Sequence, residues 1–208
     1  MRLLFAFTLL AASAAYPQSV SFGLKGGVPL SNALKVANAS TYTSDRAPFV
    51  IGPVVELGLP LGLAVEADLL YRRIEYAGSD LQTFAPMTSR TTGQVWELPI
   101  LAKYRFPGVL LRPYIEAGLS FRRFAAFDQR TTLIGTPSQT SSTDQPPEVK
   151  GRAAAGATLG AGLELHLPVV RLSSEIRYTR WGSTSILATL GGLTTQLNQA
   201  DLLLGITF

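Results

Sequence analysis

Apolar side chains recur at every second position in eight stretches of this chain, and the spacers between them alternate long and short. A period of two belongs to strands with two unlike faces. The stretches are Val20 to Leu30, Phe49 to Leu57, Leu63 to Tyr76, Gln94 to Phe106, Leu111 to Phe124, Ala153 to Leu165, Val170 to Trp181 and Ala200 to Phe208. The long spacers, 31–46, 77–92, 125–151 and 182–199, are polar and aperiodic. The short ones carry turn residues: Gly58-Leu59-Pro60-Leu61-Gly62, Pro107-Gly108 and Leu167-Pro168. Strands in series with such connections make an antiparallel up-and-down sheet, with all long loops at one end. Pro53 lacks a ladder donor, so a local bulge is expected there.

The charges decide which face points where. Lys25, Glu56, Glu66, Asp68, Arg72, Glu97, Lys103, Arg105, Arg112, Glu116, Arg122, Glu164, Arg171, Glu175 and Arg177 all fall on the polar phase of their strands. Charges enter the apolar phase only at strand ends, at Arg73, Arg123 and Arg180. Such placement suits an apolar face turned to lipid, where a central Lys or Arg costs ~2–4 kcal/mol and a peripheral one much less. The polar phase is also rich in glycine (Gly23, Gly27, Gly52, Gly118, Gly156, Gly160, Gly162, Gly205), which leaves room in a narrow interior for long charged side chains. A soluble barrel with the opposite sidedness has no such crowding to relieve. The reading is therefore all-β: an eight-stranded antiparallel up-and-down transmembrane β-barrel over residues 16–208, most strands near the ~9–11 residues a tilted span requires.

Residues 1–15 read as a cleaved signal peptide. Arg2 gives the positive start, Leu3 to Leu10 a short apolar core, and Ala11-Ala12-Ser13-Ala14-Ala15 the small residues before a cut. With 47% hydrophobic and 15% charged residues, yet no internal apolar run of the ~20 residues a spanning helix needs, soluble and helical-membrane classes both fit poorly. The chain has no cysteine, which excludes disulfides and thiolate chemistry. The net charge of +4 is spread without Lys/Arg runs, so nucleic acid is not an expected partner. The sole histidine, His166, falls beside a short turn, away from the long-loop end where surface chemistry would sit. No cofactor, metal cluster or catalytic set is expected.

Four stretches, Trp96-Glu97-Leu98-Pro99-Ile100-Leu101-Ala102-Lys103-Tyr104-Arg105-Phe106, Arg112-Pro113-Tyr114-Ile115-Glu116-Ala117-Gly118, Ser174-Glu175-Ile176-Arg177-Tyr178 and Leu204-Gly205-Ile206-Thr207-Phe208, carry a family resemblance. With them the chain resembles the bacterial outer-membrane β-barrel domain family of small porin-like and OmpA/OmpX-type barrels. The resemblance implies a Gram-negative-type outer membrane, contact with its lipid, and insertion by the outer-membrane assembly machinery. It makes the terminal strand, ending on Phe208, the assembly signal, and it implies no catalytic residues. A monomer is expected.

One chemical constellation remains, an interior charge network drawn from Lys25, Glu66, Asp68, Arg112, Glu116, Glu175 and Arg177. An eight-stranded barrel is just wide enough for side chains to fill, so these groups can neutralise one another in a closed plug and leave a structural role. Alternatively they line a narrow, porin-like channel for ions or small polar solutes. The long loops leave a third reading open, binding or adhesion at the cell surface. Which acid pairs with which base is not legible in the sequence.

Overall fold

Alternation of this kind buries one face of each strand, and the chain satisfies it by closing on itself. The computed structural model describes residues 19–31, 34–36, 42–45, 49–80, 87–133, 140–143, 153–182 and 193–208. The expected signal peptide, residues 1–15, lies outside them. Eight staves form the wall: β1 Ser19–Pro29, β2 Val50–Gly58, β3 in two pieces (Leu63–Asp68 and Leu70–Asp80), β4 Met87–Arg105, β5 Leu111–Leu133, β6 Ala153–His166, β7 Arg171–Trp181 and β8 Asn198–Thr207. Each pairs antiparallel with its sequence neighbours. β1 and β8 close the barrel in the register Gly23↔Thr207 to Pro29↔Asp201. The seam continues to Phe208, whose N–H donates to the Phe22 carbonyl at 2.9 Å. Closure leaves the wall without an edge strand, and an edge is what a membrane cannot tolerate.

The barrel is inside out relative to a soluble domain. Phe22, Leu24, Ile51, Leu98, Ile100, Ile115, Leu119, Leu159, Ile176 and Leu204 are exposed on the outer face, whereas Lys25, Glu66, Asp68, Glu116, Glu175 and Arg177 are buried inside. Arg73, Arg123 and Arg180 stand on the outer face; Arg180 is next to the end of β7, whereas β3 and β5 continue beyond Arg73 and Arg123 to Asp80 and Leu133. Aromatic rings gather at both ends of that face. Tyr71 lies between Phe49 and Trp96 toward the long loops, and Tyr104 packs on Phe106 toward the short turns. Such paired girdles mark the two interfaces of a membrane barrel. Apolar residues also meet inside, where Leu203 packs with Val50 and Leu70.

Two expectations need correction. Pro53 makes no bulge: the β1–β2 register runs unbroken through Leu24↔Pro53. Its cost falls on the other side. Leu69 N–H donates to the Pro53 carbonyl at 3.0 Å, but proline has no N–H to return, and β3 is interrupted at Leu69. The register shift lies instead between Gln94 and Val95, opposite an extra residue, Ala125, in β5. The second correction concerns length. β4 begins at Met87 and β5 continues to Leu133, inside spacers expected to be loops. Those segments pair as Met87↔Leu133 to Gln94↔Ala126, and threonines recur in them (Thr88, Thr91, Thr92, Thr131, Thr132). Threonine favours strands without supplying an apolar face, so outside the bilayer the period-two signal fades while the ladder persists.

Candidate functional site

The inward phase of the staves brings the charged side chains together in three layers. In the central layer Arg177, on β7, extends across the barrel. Its Nη1 lies 2.6 Å from Asp68 Oδ2, its Nη2 2.7 Å from Glu175 Oε1 and 3.1 Å from Glu66 Oε1, and its Nε 3.0 Å from Glu116 Oε1. Lys25, on β1, contacts Glu66 and lies 3.0 Å from Glu175 Oε2. Lys103, on β4, contacts Glu66 and lies 3.3 Å from Glu56 Oε2, with its ammonium 4.5 Å from the Tyr114 ring centroid. The Tyr114 hydroxyl donates to Glu175 Oε2 at 2.6 Å. Glycine makes the space: a Cβ on Gly160 would fall 2.6 Å from Glu116 Oε1.

Toward the long loops, Arg72 holds Asp201 with both terminal nitrogens, at 3.3 and 2.9 Å, and Glu97 at 2.9 Å. Gln199 donates to Glu97 and Asp201 and accepts from the Trp181 indole N–H at 3.0 Å. Arg122 lies over the Trp181 ring at 4.2 Å, a cation–π contact in a desolvated place. Ser120, Thr158 and Thr179 join their hydroxyls at 2.5 and 2.9 Å. Toward the short turns, Arg171 Nη1 lies 2.7 Å from Glu56 Oε1, and Arg105 contacts Glu56 and lies 3.1 Å from Glu164 Oε2. Beyond them a vestibule of about 540 Å³ opens, lined by Arg105, Arg112, Glu164, His166 and Arg171.

Six of the seven expected network residues, Lys25, Glu66, Asp68, Glu116, Glu175 and Arg177, thus meet in one layer. Arg112 does not join them. It lies at the short-turn end, half-buried in the vestibule, where its Nε donates to the Gly108 carbonyl at 2.7 Å. Its place near the start of β5 keeps it about four residues short of Glu116, beyond side-chain reach of the central layer. Residues not singled out from the sequence complete the network: Glu56, Arg72, Glu97, Lys103 and Asp201, all on the inward phase. The signal that finds Lys103 is strand register, because Lys103 and Glu116 are direct cross-strand partners. Gln199 lay in an expected loop.

The carboxylates of Glu66, Glu116 and Glu175 bring one oxygen each within 4.8 Å of one another, a spacing that could hold a cation. Lys25, Lys103 and Arg177 already supply positive charge there, so the chain's own side chains neutralise the cluster. What the arrangement can do chemically is fill and cross-link the lumen. Each removal of a partner would leave a buried charge behind.

The family model described as "Outer membrane protein beta-barrel domain" matches residues 13–186. No curated protein sequence matches the chain. Among solved structures, the chain is similar to Neisserial surface protein A (15% identity, covering 92% of this chain and 98% of that one, TM-score 0.42). It is likewise similar to Ail, the attachment invasion locus protein of Yersinia pestis (14%, 92% and 97%, 0.44). The N-terminal β-barrel domain of Pseudomonas aeruginosa OprF is a third (18%, 90% and 97%, 0.34).

Proposed function

The chain belongs to the outer-membrane protein β-barrel domain family, and on that premise we propose that it is a closed, non-conducting barrel with a structural role in the envelope. It resides in the outer membrane, with the short turns in the periplasm and the long loops outside. The observation that carries the closed reading is Arg177, which crosses the lumen to four carboxylates and is itself 2% exposed. A path for solute would have to break that layer and leave several charges unpaired in a dry interior, at several kcal/mol each. The barrel fills as its strand number dictates. Swelling of vesicles in small sugars or amino acids tests this: vesicles holding the folded protein should swell no faster than empty ones, and a rate rising with protein content would defeat it.

A second reading, surface binding, has its own support. β5 is 23 residues long and β4 is 19, well beyond the ~9–11 a span needs. Together with β3 they carry the sheet past the aromatic girdle, and Tyr42–Asp45 and Thr140–Thr143 pair onto its two sides. A rigid sheet standing outside the membrane is a platform on which loops can present contacts. We read the protein as having no enzymatic activity. His166 sits in the periplasmic vestibule 3.6 Å from Glu164, remote from that platform. Lipid and the assembly machinery are its expected partners, with Phe208 as the recognition element and the monomer as the working form.

A further inference from the structure

A trough of about 530 Å³ crosses the lipid-facing side of β4, β5 and β6, at the long-loop edge of the apolar band and level with the start of β6, with Leu69 at its margin. Trp96, Leu98 and Phe121 form its walls. Ala153 and Ala155 form its floor, where single methyl groups leave the volume that Leu159 and Leu163 occupy further along β6. Arg123 closes the outer end: it is the cross-strand partner of both Trp96 and Ala153. Arg122 turns inward onto Trp181, so Arg123 is the member of the pair that is exposed on the apolar face. The Tyr71 ring packs on Trp96 at 5.2 Å and braces the wall.

Apolar filling alone selects nothing here, because a lipid tail is as apolar as leucine and any chain could lie in the trough. Selection must come from the charged end. Arg123 stands level with Trp96 of the aromatic girdle, and an arginine at that headgroup depth costs little while its planar fork matches a phosphate. We propose that the trough and Arg123 form a site for one lipid with an anionic phosphate headgroup. One acyl chain lies over Ala153 and Ala155 between Trp96 and Phe121, and the phosphate is held by the Arg123 guanidinium. This goes beyond the closed-lumen reading and does not depend on it.

The chain has two tryptophans, and Trp181 is buried in the lumen at 1% exposure while Trp96 is 39% exposed. Quenching by brominated acyl chains therefore reports the trough. The protein is folded into phosphatidylcholine vesicles containing a fixed fraction of brominated phosphatidylglycerol, and into the converse mixture with the bromines on phosphatidylcholine. The expected result is a relative association roughly fivefold in favour of phosphatidylglycerol, the effect of one arginine at an anionic surface. R123Q should bring it close to one. A155L, which fills the floor, should lower it, and R73Q should leave it unchanged. Shifted migration of unheated samples on gels shows that each variant is folded. Equal quenching in the two mixtures overturns the site. A preference unchanged in R123Q or A155L, or lost equally in R73Q, overturns it too, the last by showing a diffuse belt of charge.

Discussion

Arg177 and Asp68 meet at 2.6 Å although they stand on β7 and β3, four staves apart and so on opposite sides of the barrel. Their contact ties the wall together across its diameter, which the hydrogen-bond ladder cannot do. Removing the cation leaves Glu66, Asp68, Glu116 and Glu175 with Lys25 and Lys103 as the remaining basic groups of the layer. R177M should therefore lower the stability of the folded protein by about 3–5 kcal/mol, read as a shift in urea midpoint in lipid vesicles. A midpoint within error of wild type would show that the layer carries no stability.

The lipid-facing assignment of the apolar phase makes a depth-dependent prediction. Leu159, 61% exposed at the middle of β6, should tolerate arginine poorly, with a loss of about 2–4 kcal/mol. Leu172, near the short-turn end of β7, should lose only about 0–1 kcal/mol on the same substitution. Unfolding in vesicles compares the two, and equal losses would contradict the assigned orientation.

Closure of the barrel depends on close approach at the β1–β8 seam. A Cβ on Gly27 would fall 2.0 Å from the Leu202 carbonyl oxygen, a backbone atom that can move only with its strand. G27V should reduce the fraction of protein that shows the compact, unheated gel form, more than G26V does. At Gly26 the nearest atom to a Cβ is 3.6 Å away, which is ordinary contact. Equal folding of the two variants would contradict this.

Phe208 joins the seam through its backbone, donating to Phe22, while the residue as a whole is 65% exposed. If that ring serves recognition during assembly, F208A should lower the amount inserted in the outer membrane of cells. The same variant, refolded into vesicles, should keep most of its stability. Loss of stability in vitro to match the loss in cells would instead assign Phe208 a purely structural role.

Much of this architecture was legible in the residues because a membrane and a narrow lumen punish exceptions. The phase of Glu66, Asp68, Glu116, Glu175, Lys25 and Arg177 is enough to place them inside, and Leu203, an apolar residue on the inward phase, finds Val50 and Leu70 there. Their pairing was not legible, because it depends on how eight staves stagger around the barrel. Arg112 has the right phase and the wrong height, whereas Lys103 has both. The outer extensions of β4 and β5 were hidden for a different reason: strands standing in water need no apolar face, so Thr88 to Thr92 and Gln129 to Thr132 resemble loop.

Planar-bilayer recording of the folded wild-type protein decides whether the charged lumen is a plug. The closed barrel predicts a silent bilayer, with no steady conductance attributable to inserted protein. A steady conductance, reduced or altered in selectivity when Glu116 or Arg177 is substituted, would contradict it and make the same residues the lining of a channel.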